Sequence, residues 1–313
     1  MLRHADETDR LLSVVPPPLA SDRKRRAWKT SILVGLSLQY TLYALSRSRL
    51  ASALCDGQVL LLAEVIKLGC SATLARDHYL VWCRAASEAL VPCVCFAVMN
   101  LLSFWAMRHV SATCAVVLLQ TKLPMTVLWS RVFLKRKISA ARSVVLLLVS
   151  VGTLGVALDA TAASSGHDAP ARIVPVLALL CETFISGFSS VYSERMFQRS
   201  NLWVRNVQLS VLGVIAYAVS TCTPYLHTSD CTWSLAVVDA NGVLVAALSA
   251  AGGLLVALAL KCVGSIEKTV VTLTAVISIG VVEGVMLSRM PSYHFVLYSA
   301  TTMLAVGMYA LIE

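Results

Sequence analysis

Apolar segments about twenty residues long recur along the whole chain, separated by short polar breaks. There are ten of them, five on each side of a stretch rich in Ser, Gly and Asp at 164–168. Each is long enough for an α-helix to cross a bilayer, which takes about 20 residues. Because lipid offers the backbone no hydrogen bonds, such short segments must be helices. The predicted spans are 30–50, 58–76, 89–107, 112–134, 141–158, 172–192, 203–222, 237–261, 269–287 and 295–312.

The helix count also predicts how the two groups of five helices are related. Because five is odd, the second group enters the bilayer from the opposite face, so the halves form an inverted repeat, as is common in transporters. We therefore predict an all-α integral membrane protein with ten transmembrane helices in two inverted halves. Its parts are a disordered cytosolic tail at 1–29, a first half at 30–158, a lumenal linker at 159–171 and a second half at 172–313.

Composition favours a membrane protein over a soluble one. Of the 313 residues, 58% are hydrophobic and only 14% are charged, with a mean hydropathy of +0.76. Ordinary soluble proteins carry about 25% charged residues. The net charge of +9 is scattered over short loops without an aromatic-interleaved basic patch, so we expect no nucleic-acid partner.

Basic residues are distributed unequally between the two faces of the predicted bundle. With the N-terminus in the cytosol, 19 of the 26 Lys and Arg residues fall on the cytosolic side and 5 on the opposite side. The remaining two, Lys67 and Lys122, lie inside spans. Cytosolic loops carry the excess of positive charge in membrane proteins, so both termini are predicted to be cytosolic.

Two short features outside the spans carry further hypotheses. Glu7, followed by Leu11 and Leu12, fits the acidic dileucine pattern that sorting adaptors bind. Cys222 and Cys231 flank the largest non-cytosolic loop, where they could form a disulfide or remain free thiols. The other cysteines show neither a disulfide framework nor zinc-ligand spacing.

Ionisable side chains inside a bilayer are costly and need a partner or an aqueous cavity. Glu64 and Lys67 lie three residues apart on one helix face, where they could form a structural ion pair. Lys122 stands between Gln120 and Pro124 with no acidic residue within four positions, and apolar sequence extends on either side of it. This position favours an anionic ligand in a cavity over a lysine that snorkels to the interface.

Lys268 stands near the start of the ninth span, which is the fourth predicted helix of the second half. Lys122 lies in the fourth predicted helix of the first half. The two ammonium groups could converge on a diphosphate, or Lys268 could be an ordinary cytosolic loop lysine. Gly252 and Gly253 in the eighth span would allow close approach of a helix or a ligand.

Enzymatic chemistry has little support in the sequence. Glu182 and Glu283 are carboxylates inside the sixth and ninth spans, where they could couple transport to protons or be held structurally. The six histidines fall in loops or tails, and no catalytic triad, acid pair or metal cluster is apparent. We expect neither an enzyme nor a bound cofactor.

Several short strings occur together in a characteristic order along nearly the whole chain. They are 63–67 (AEVIK), Asn100, 120–123 (QTKL), 186–188 (SGF) with Tyr192 and Glu194, 202–209 (LWVRNVQL), 252–257 (GGLLVA), Lys261 and 265–268 (SIEK). With these strings the chain resembles the nucleotide-sugar transporters of the Golgi and endoplasmic reticulum. The similar branch of that family carries CMP-sialic acid, UDP-galactose and UDP-N-acetylglucosamine.

The resemblance implies the ten-helix fold of the drug and metabolite transporter superfamily. It also implies exchange of a cytosolic nucleotide sugar for a lumenal nucleoside monophosphate, by alternating access to a site near the midplane. The expected location is the Golgi membrane or, alternatively, the endoplasmic reticulum, and a homodimer is an open expectation. Candidate substrate-binding residues are Lys67, Asn100, Gln120, Lys122, Asn206, Gly253 and Lys268, with Glu64, Tyr192 and Glu194 in structural or coupling roles.

The chain departs from the family pattern at positions that bear on specificity. Leu119 and Cys114 stand where tyrosines are usual, and Leu101 follows Asn100 in place of a second asparagine. We expect UDP-linked galactose or N-acetylhexosamine, with a CMP-sugar as the alternative. Other hypotheses are a same-fold transporter of another phosphorylated metabolite and a membrane-embedded enzyme acting on a lipid-linked sugar, which would need acidic or histidine clusters at a membrane face.

Overall fold

The computed structural model describes residues 22–49, 56–75, 86–107, 109, 115, 118–162, 173–222, 239–286, 288 and 292–312. Over these ranges it has ten α-helices and no strand, which confirms the all-helical prediction. The helices are α1 (Asp22–Arg49), α2 (Asp56–Leu74), α3 (Ala86–Met107), α4 (Lys122–Phe133), α5 (Ala140–Ala162), α6 (Ile173–Gln198), α7 (Leu202–Cys222), α8 (Ala240–Cys262), α9 (Ser265–Met286) and α10 (Tyr293–Leu311).

Seven of these helices are long and apolar enough to cross a membrane: α2 and α5 to α10. The other three differ for identifiable reasons. α1 begins with a basic segment, α3 has a shorter apolar stretch at Ser87–Met99, and α4 is only 12 residues long. The chain is therefore a multi-pass membrane protein.

α1 begins at Asp22, inside the segment predicted to be a disordered tail, rather than at residue 30. The residues of its first turns are mostly Arg, Lys and Ala, which are strong helix formers. Hydropathy locates only the apolar part of a helix, so it could not detect a polar extension beyond the bilayer.

The uninterrupted fourth span predicted over 112–134 needs correction. Leu118 and Leu119 are helical, Gln120 and Thr121 form a turn, and α4 begins at Lys122. Pro124 explains the interruption, because proline has no N–H and its ring clashes with the carbonyl four residues earlier. Lys122 consequently lies at the start of a helix and not in the middle of one.

Helix packing follows a pattern that relates the two halves. α2 packs on α7, α4 on α9 and α5 on α10, so each of these helices contacts the one five places along. Three further contacts recur when each helix is replaced by the helix five positions away in the chain. The pairs are α3–α6 with α1–α8, α4–α6 with α1–α9, and α3–α7 with α2–α8. Contacts of α6 with α8 and of α5 with α9 depart from the pattern. Most of the larger helix contacts thus occur in pairs that are related by a step of five helices along the chain.

The direction of neighbouring helices can be read from their contacts. Along α4 and α6 the contacts ascend together: Thr121 Oγ1 donates a hydrogen bond of 3.0 Å to Thr183 Oγ1, and one turn further on Gly187 packs against Met125. α4 and α6 therefore run parallel. This direction is expected for two helices that are separated in the chain by one membrane-crossing helix, α5.

Candidate functional site

The start of α4 is fixed firmly in the bundle. Leu123 is fully buried in a hydrophobic cluster with residues of α5, α9 and α10. Lys122, its neighbour, is partly buried, and its ammonium group has no hydrogen-bond or ion-pair partner among the described residues. The first backbone N–H groups of a helix are also unpaired, so a helix start favours negative charge.

Lys268 lies one turn into α9 and is only 6% exposed. Ile266 and Val270 on either side of it belong to the same hydrophobic cluster as Leu123. The alternative that Lys268 is an ordinary cytosolic loop lysine is therefore wrong. Its ammonium group is near enough to that of Lys122 for the two charges to repel each other, so the structure brings these two candidates together.

Sequence reasoning missed the acidic neighbour of Lys122. Glu182 on α6 interacts electrostatically with Lys122, although the two groups form no direct ion pair. Ser103 of α3 makes a hydrogen bond to the Glu182 carboxylate. As predicted, α4 carries no acidic residue near Lys122. The acidic neighbour, Glu182, lies on α6, which packs against α4.

The side chains of Gln120 and Thr121 anchor the turn that precedes α4 to neighbouring helices. Gln120 is buried, and its Oε1 accepts a hydrogen bond of 2.9 Å from Thr153 Oγ1 of α5. The Thr121 hydroxyl lies 2.7 Å from the Leu118 carbonyl and 3.0 Å from the Thr183 hydroxyl. These contacts hold Gln120 near Lys122, and its predicted contact with substrate stays a prediction.

Lys67 and Glu64 form the ion pair that their spacing allows, with Nζ and Oε1 2.6 Å apart. Glycines on two other helices make room for the pair. A Cβ at Gly253 of α8 would lie 3.1 Å from Lys67 Cδ, and one at Gly213 of α7 would lie 3.0 Å from the Glu64 carboxyl carbon. Lys67 and Gly253 are therefore in direct contact, and Glu64 balances the lysine charge.

The remaining candidates have separate surroundings. Asn206 of α7 is buried, and its Nδ2 has no hydrogen-bond partner within the described part of the chain. Asn100 lies in α3, but its side chain is outside the described structure. The ring of Tyr192 is partly buried and packs against Phe188, with 5.8 Å between centroids. No described contact joins Tyr192 or Asn206 to Lys122 or Lys268.

Glu194 occupies a structural position at the end of α6. It is completely buried, and its carboxylate accepts hydrogen bonds from Arg136, Gln198 and the backbone N–H of Ser265. The last bond caps the start of α9, and the ion pair with Arg136 ties in the α4–α5 connection. Gly264, at φ +136°, turns the chain between α8 and α9 beside this carboxylate.

Several predictions concern residues that the structure does not describe. Glu7, Leu11 and Leu12 of the sorting pattern lie outside the described residues, as does Cys231. Cys222 ends α7, but its side chain is likewise outside them. The sorting motif and the disulfide therefore stay predictions from the sequence.

Comparison with known proteins defines the class to which this multi-pass helical bundle belongs. A family model described as nucleotide-sugar transporter matches residues 29–310. The chain therefore belongs to the nucleotide-sugar transporter family, which confirms the resemblance seen in the sequence.

Two relatives with known names extend over nearly the whole chain, and a third covers more than half of it. UDP-galactose translocator 1 of Caenorhabditis elegans is 24% identical, over 93% of this chain and 90% of that protein. The UDP-galactose/UDP-N-acetylglucosamine transporter srf-3 of the same nematode is 26% identical, over 95% and 87%. The nematode UDP-N-acetylglucosamine/UDP-N-acetylgalactosamine transporter nstp-4 is 32% identical, over 58% of this chain and 56% of that protein.

The fold also matches a solved structure. A crystal structure that shares 16% sequence identity superposes with a TM-score of 0.73, covering 91% of this chain and 97% of the other. At that identity the likeness concerns the fold alone.

Proposed function

We propose that this chain is an antiporter that carries a UDP-linked sugar from the cytosol into the Golgi lumen and returns a nucleoside monophosphate. Membership of the nucleotide-sugar transporter family supports the substrate class. The relatives named above are transporters of UDP-galactose, UDP-N-acetylglucosamine or UDP-N-acetylgalactosamine, which favours uridine over cytidine. The endoplasmic reticulum is the alternative compartment.

The proposal also includes two protein partners. A sorting adaptor would bind the tail motif at Glu7, Leu11 and Leu12, and a second copy of the chain would form a homodimer.

The observation that carries this proposal is the proximity of Lys122 and Lys268. Two like charges in a membrane interior repel each other and are costly to bury, so their arrangement makes sense with an anion between them. A phosphate group accepts strong charge-assisted hydrogen bonds from ammonium groups. A nucleotide sugar and a nucleoside monophosphate both carry phosphate, so one pair of lysines serves both substrates in turn.

The two lysines also fit a carrier that works by rocking its halves. In this proposal all ten helices cross the bilayer, and 30–158 and 172–313 are inverted halves joined by the linker at 159–171. The paired contacts between helices five places apart support that relation. Lys122 in α4 and Lys268 in α9 then come from corresponding helices, one from each half, and both termini face the cytosol.

Other candidates complete the proposed site. The unused Nδ2 donor of Asn206 is available to a carbonyl or hydroxyl of the base or sugar. Lys67 lies against Gly253, where a ligand could approach it closely and compete with Glu64 for its charge. Asn100 belongs to the proposal through its family match.

Uptake by purified protein in lipid vesicles tests the substrate class. The vesicles are offered labelled UDP-galactose, UDP-N-acetylglucosamine, UDP-N-acetylgalactosamine, CMP-sialic acid and glucose 6-phosphate in separate assays. We expect uptake of at least one of the three UDP-sugars and none of glucose 6-phosphate. Uptake of CMP-sialic acid alone would move the assignment to the cytidine branch, and uptake of glucose 6-phosphate alone would refute the proposal.

A further inference from the structure

We propose that Glu182 is a specificity-determining residue that limits the negative charge of the ligand accepted by Lys122 and Lys268. The inference rests on the proposed function, because it concerns the same phosphate site. Neither the family resemblance nor the strings that carry it include Glu182. The sequence shows it only as an isolated carboxylate in the sixth span.

The contacts between α4 and α6 hold Glu182 at the level of Lys122. The residues next to them in the chain, Thr183 and Thr121, are joined by the hydrogen bond of 3.0 Å. One turn further on, the helices approach so closely that a Cβ at Gly187 would lie 2.9 Å from the backbone of α4. Because the helices run parallel and touch at both levels, the acid and the lysine cannot slide apart along the helix axis.

The carboxylate of Glu182 is held in place without being neutralised by contact. Ser103 of α3 hydrogen-bonds to it, while its Oε2 is buried and has no hydrogen-bond partner among the described residues. It forms no direct ion pair with Lys122, yet the two charges interact through space. A partly buried acid with a buried, unused oxygen is costly, and in membrane proteins such groups usually serve function.

In this proposal Glu182 is ionised, so a phosphate bound to Lys122 lies within the field of a negative charge. The repulsion grows with the charge of the ligand, and it is strong where water is excluded. In a nucleotide sugar the terminal phosphate is esterified to the sugar, which removes one negative charge relative to the free nucleoside diphosphate. A nucleoside monophosphate also carries less charge than the diphosphate. Glu182 thus admits both exchange partners and selects against the free diphosphate.

Binding measurements with ligands of increasing charge test this role. Uridine, UMP and UDP are titrated against the purified wild-type protein and the variants Glu182→Gln, Glu182→Asp and Glu283→Gln. Glu182→Gln should tighten UMP about tenfold and UDP by a larger factor, while the affinity for uncharged uridine stays unchanged. Glu182→Asp keeps the charge and should still bind UDP less tightly than Glu182→Gln does. Glu283→Gln removes a carboxylate near the other end of α9 and should bind like wild type.

Each outcome bears on the inference. If folded Glu182→Gln binds UMP and UDP as wild type does, or more weakly, the inference is wrong while the proposed function stands. An equal gain for uridine would mean a structural effect and would also overturn it. A wild-type protein that binds neither UMP nor UDP refutes the proposed function itself. If Glu182→Gln does not fold, Glu182→Met, which is uncharged and of similar length, gives the same comparison.

Discussion

Lys122 and Lys268 repel each other across the interface between α4 and α9, and neither ammonium group has a hydrogen bond or ion pair among the described residues. Both side chains are attached to well-packed helices, since Leu123, Ile266 and Val270 belong to one buried cluster. The packing of these neighbours limits how far the two helices can move apart. An anionic ligand between the two ammonium groups would relieve this repulsion.

Replacing Lys122 by Ala should weaken the binding of both the nucleotide sugar and the monophosphate. A hydrogen bond to a charged group contributes about 1.5 to 3 kcal/mol, which corresponds to roughly a tenfold to hundredfold loss of affinity. Lys122→Arg should restore only part of it, because a planar guanidinium does not replace a compact ammonium. Isothermal titration with UMP measures the effect. Lys137→Ala, at an exposed position, is the control, and normal UMP affinity in folded Lys122→Ala would disprove the role.

Replacing Lys268 by Met should have opposite effects on stability and on binding. Removing a buried charge that is repelled by Lys122 should stabilise the unliganded protein, by about 2.5 to 3.5 kcal/mol on membrane insertion scales. UMP affinity should fall in the same variant. Thermal unfolding in detergent and UMP titration measure the two effects. The control is Lys261→Met, which removes a hydrogen bond to the Ser200 carbonyl and should not stabilise. A less stable Lys268→Met protein would show that this lysine is structural.

Gly187→Ala should disturb the contact between α4 and α6. The added methyl group would lie 2.9 Å from the Met125 carbonyl carbon and the Thr126 nitrogen, and backbone atoms cannot move aside as a flexible side chain can. Overpacking of this kind costs about 1 to 3 kcal/mol. Thermal unfolding should show the loss, together with weaker UMP binding because Lys122 is displaced. Gly35→Ala is the matched control, since nothing lies within 4 Å of its added methyl group. Equal stability of the two variants would contradict the close approach.

Arg136→Ala should destabilise the protein strongly. It leaves the completely buried carboxylate of Glu194 without its ion pair, and losing a hydrogen bond to a charged group costs about 1.5 to 3 kcal/mol. The comparison is Arg195→Ala, which removes an exposed arginine next to Glu194 in the chain. Thermal unfolding of the two variants decides the matter, because similar melting temperatures would mean that the Arg136 pair contributes little.

Hydropathy located the helices well but could not see the break before α4. The apolar pattern is continuous through 112–134, because a backbone interruption changes no side-chain polarity. The local signal was Pro124, whose missing N–H and bulky ring free the carbonyl of Gln120. Combining the proline rule with hydropathy would have placed Lys122 at a helix start, where positive backbone charge supports an anion site.

Contacts between distant segments were less accessible to sequence reasoning. Glu64 and Lys67 could be paired because helical geometry fixes neighbours three residues apart. Glu182 could not be assigned to Lys122, nor Arg136 to Glu194, because the sequence alone does not state which helices pack together. The convergence of Lys122 and Lys268 was suggested by helix numbering, on the assumption that the second half repeats the order of the first. That expectation rested on an assumed symmetry and not on any local signal.

The central claim is exchange of a nucleotide sugar for a nucleoside monophosphate at one site. Its most direct test is the initial rate of labelled UDP-sugar uptake into vesicles that contain the purified protein and are preloaded with UMP, with uridine or with buffer alone. The labelled sugar is the one preferred in the uptake assay, and Lys122→Ala protein serves as the transport-deficient control. We expect UMP to accelerate uptake severalfold over both other preloads, and only with the wild-type protein. Equal rates in the three preparations would contradict exchange and indicate a uniporter.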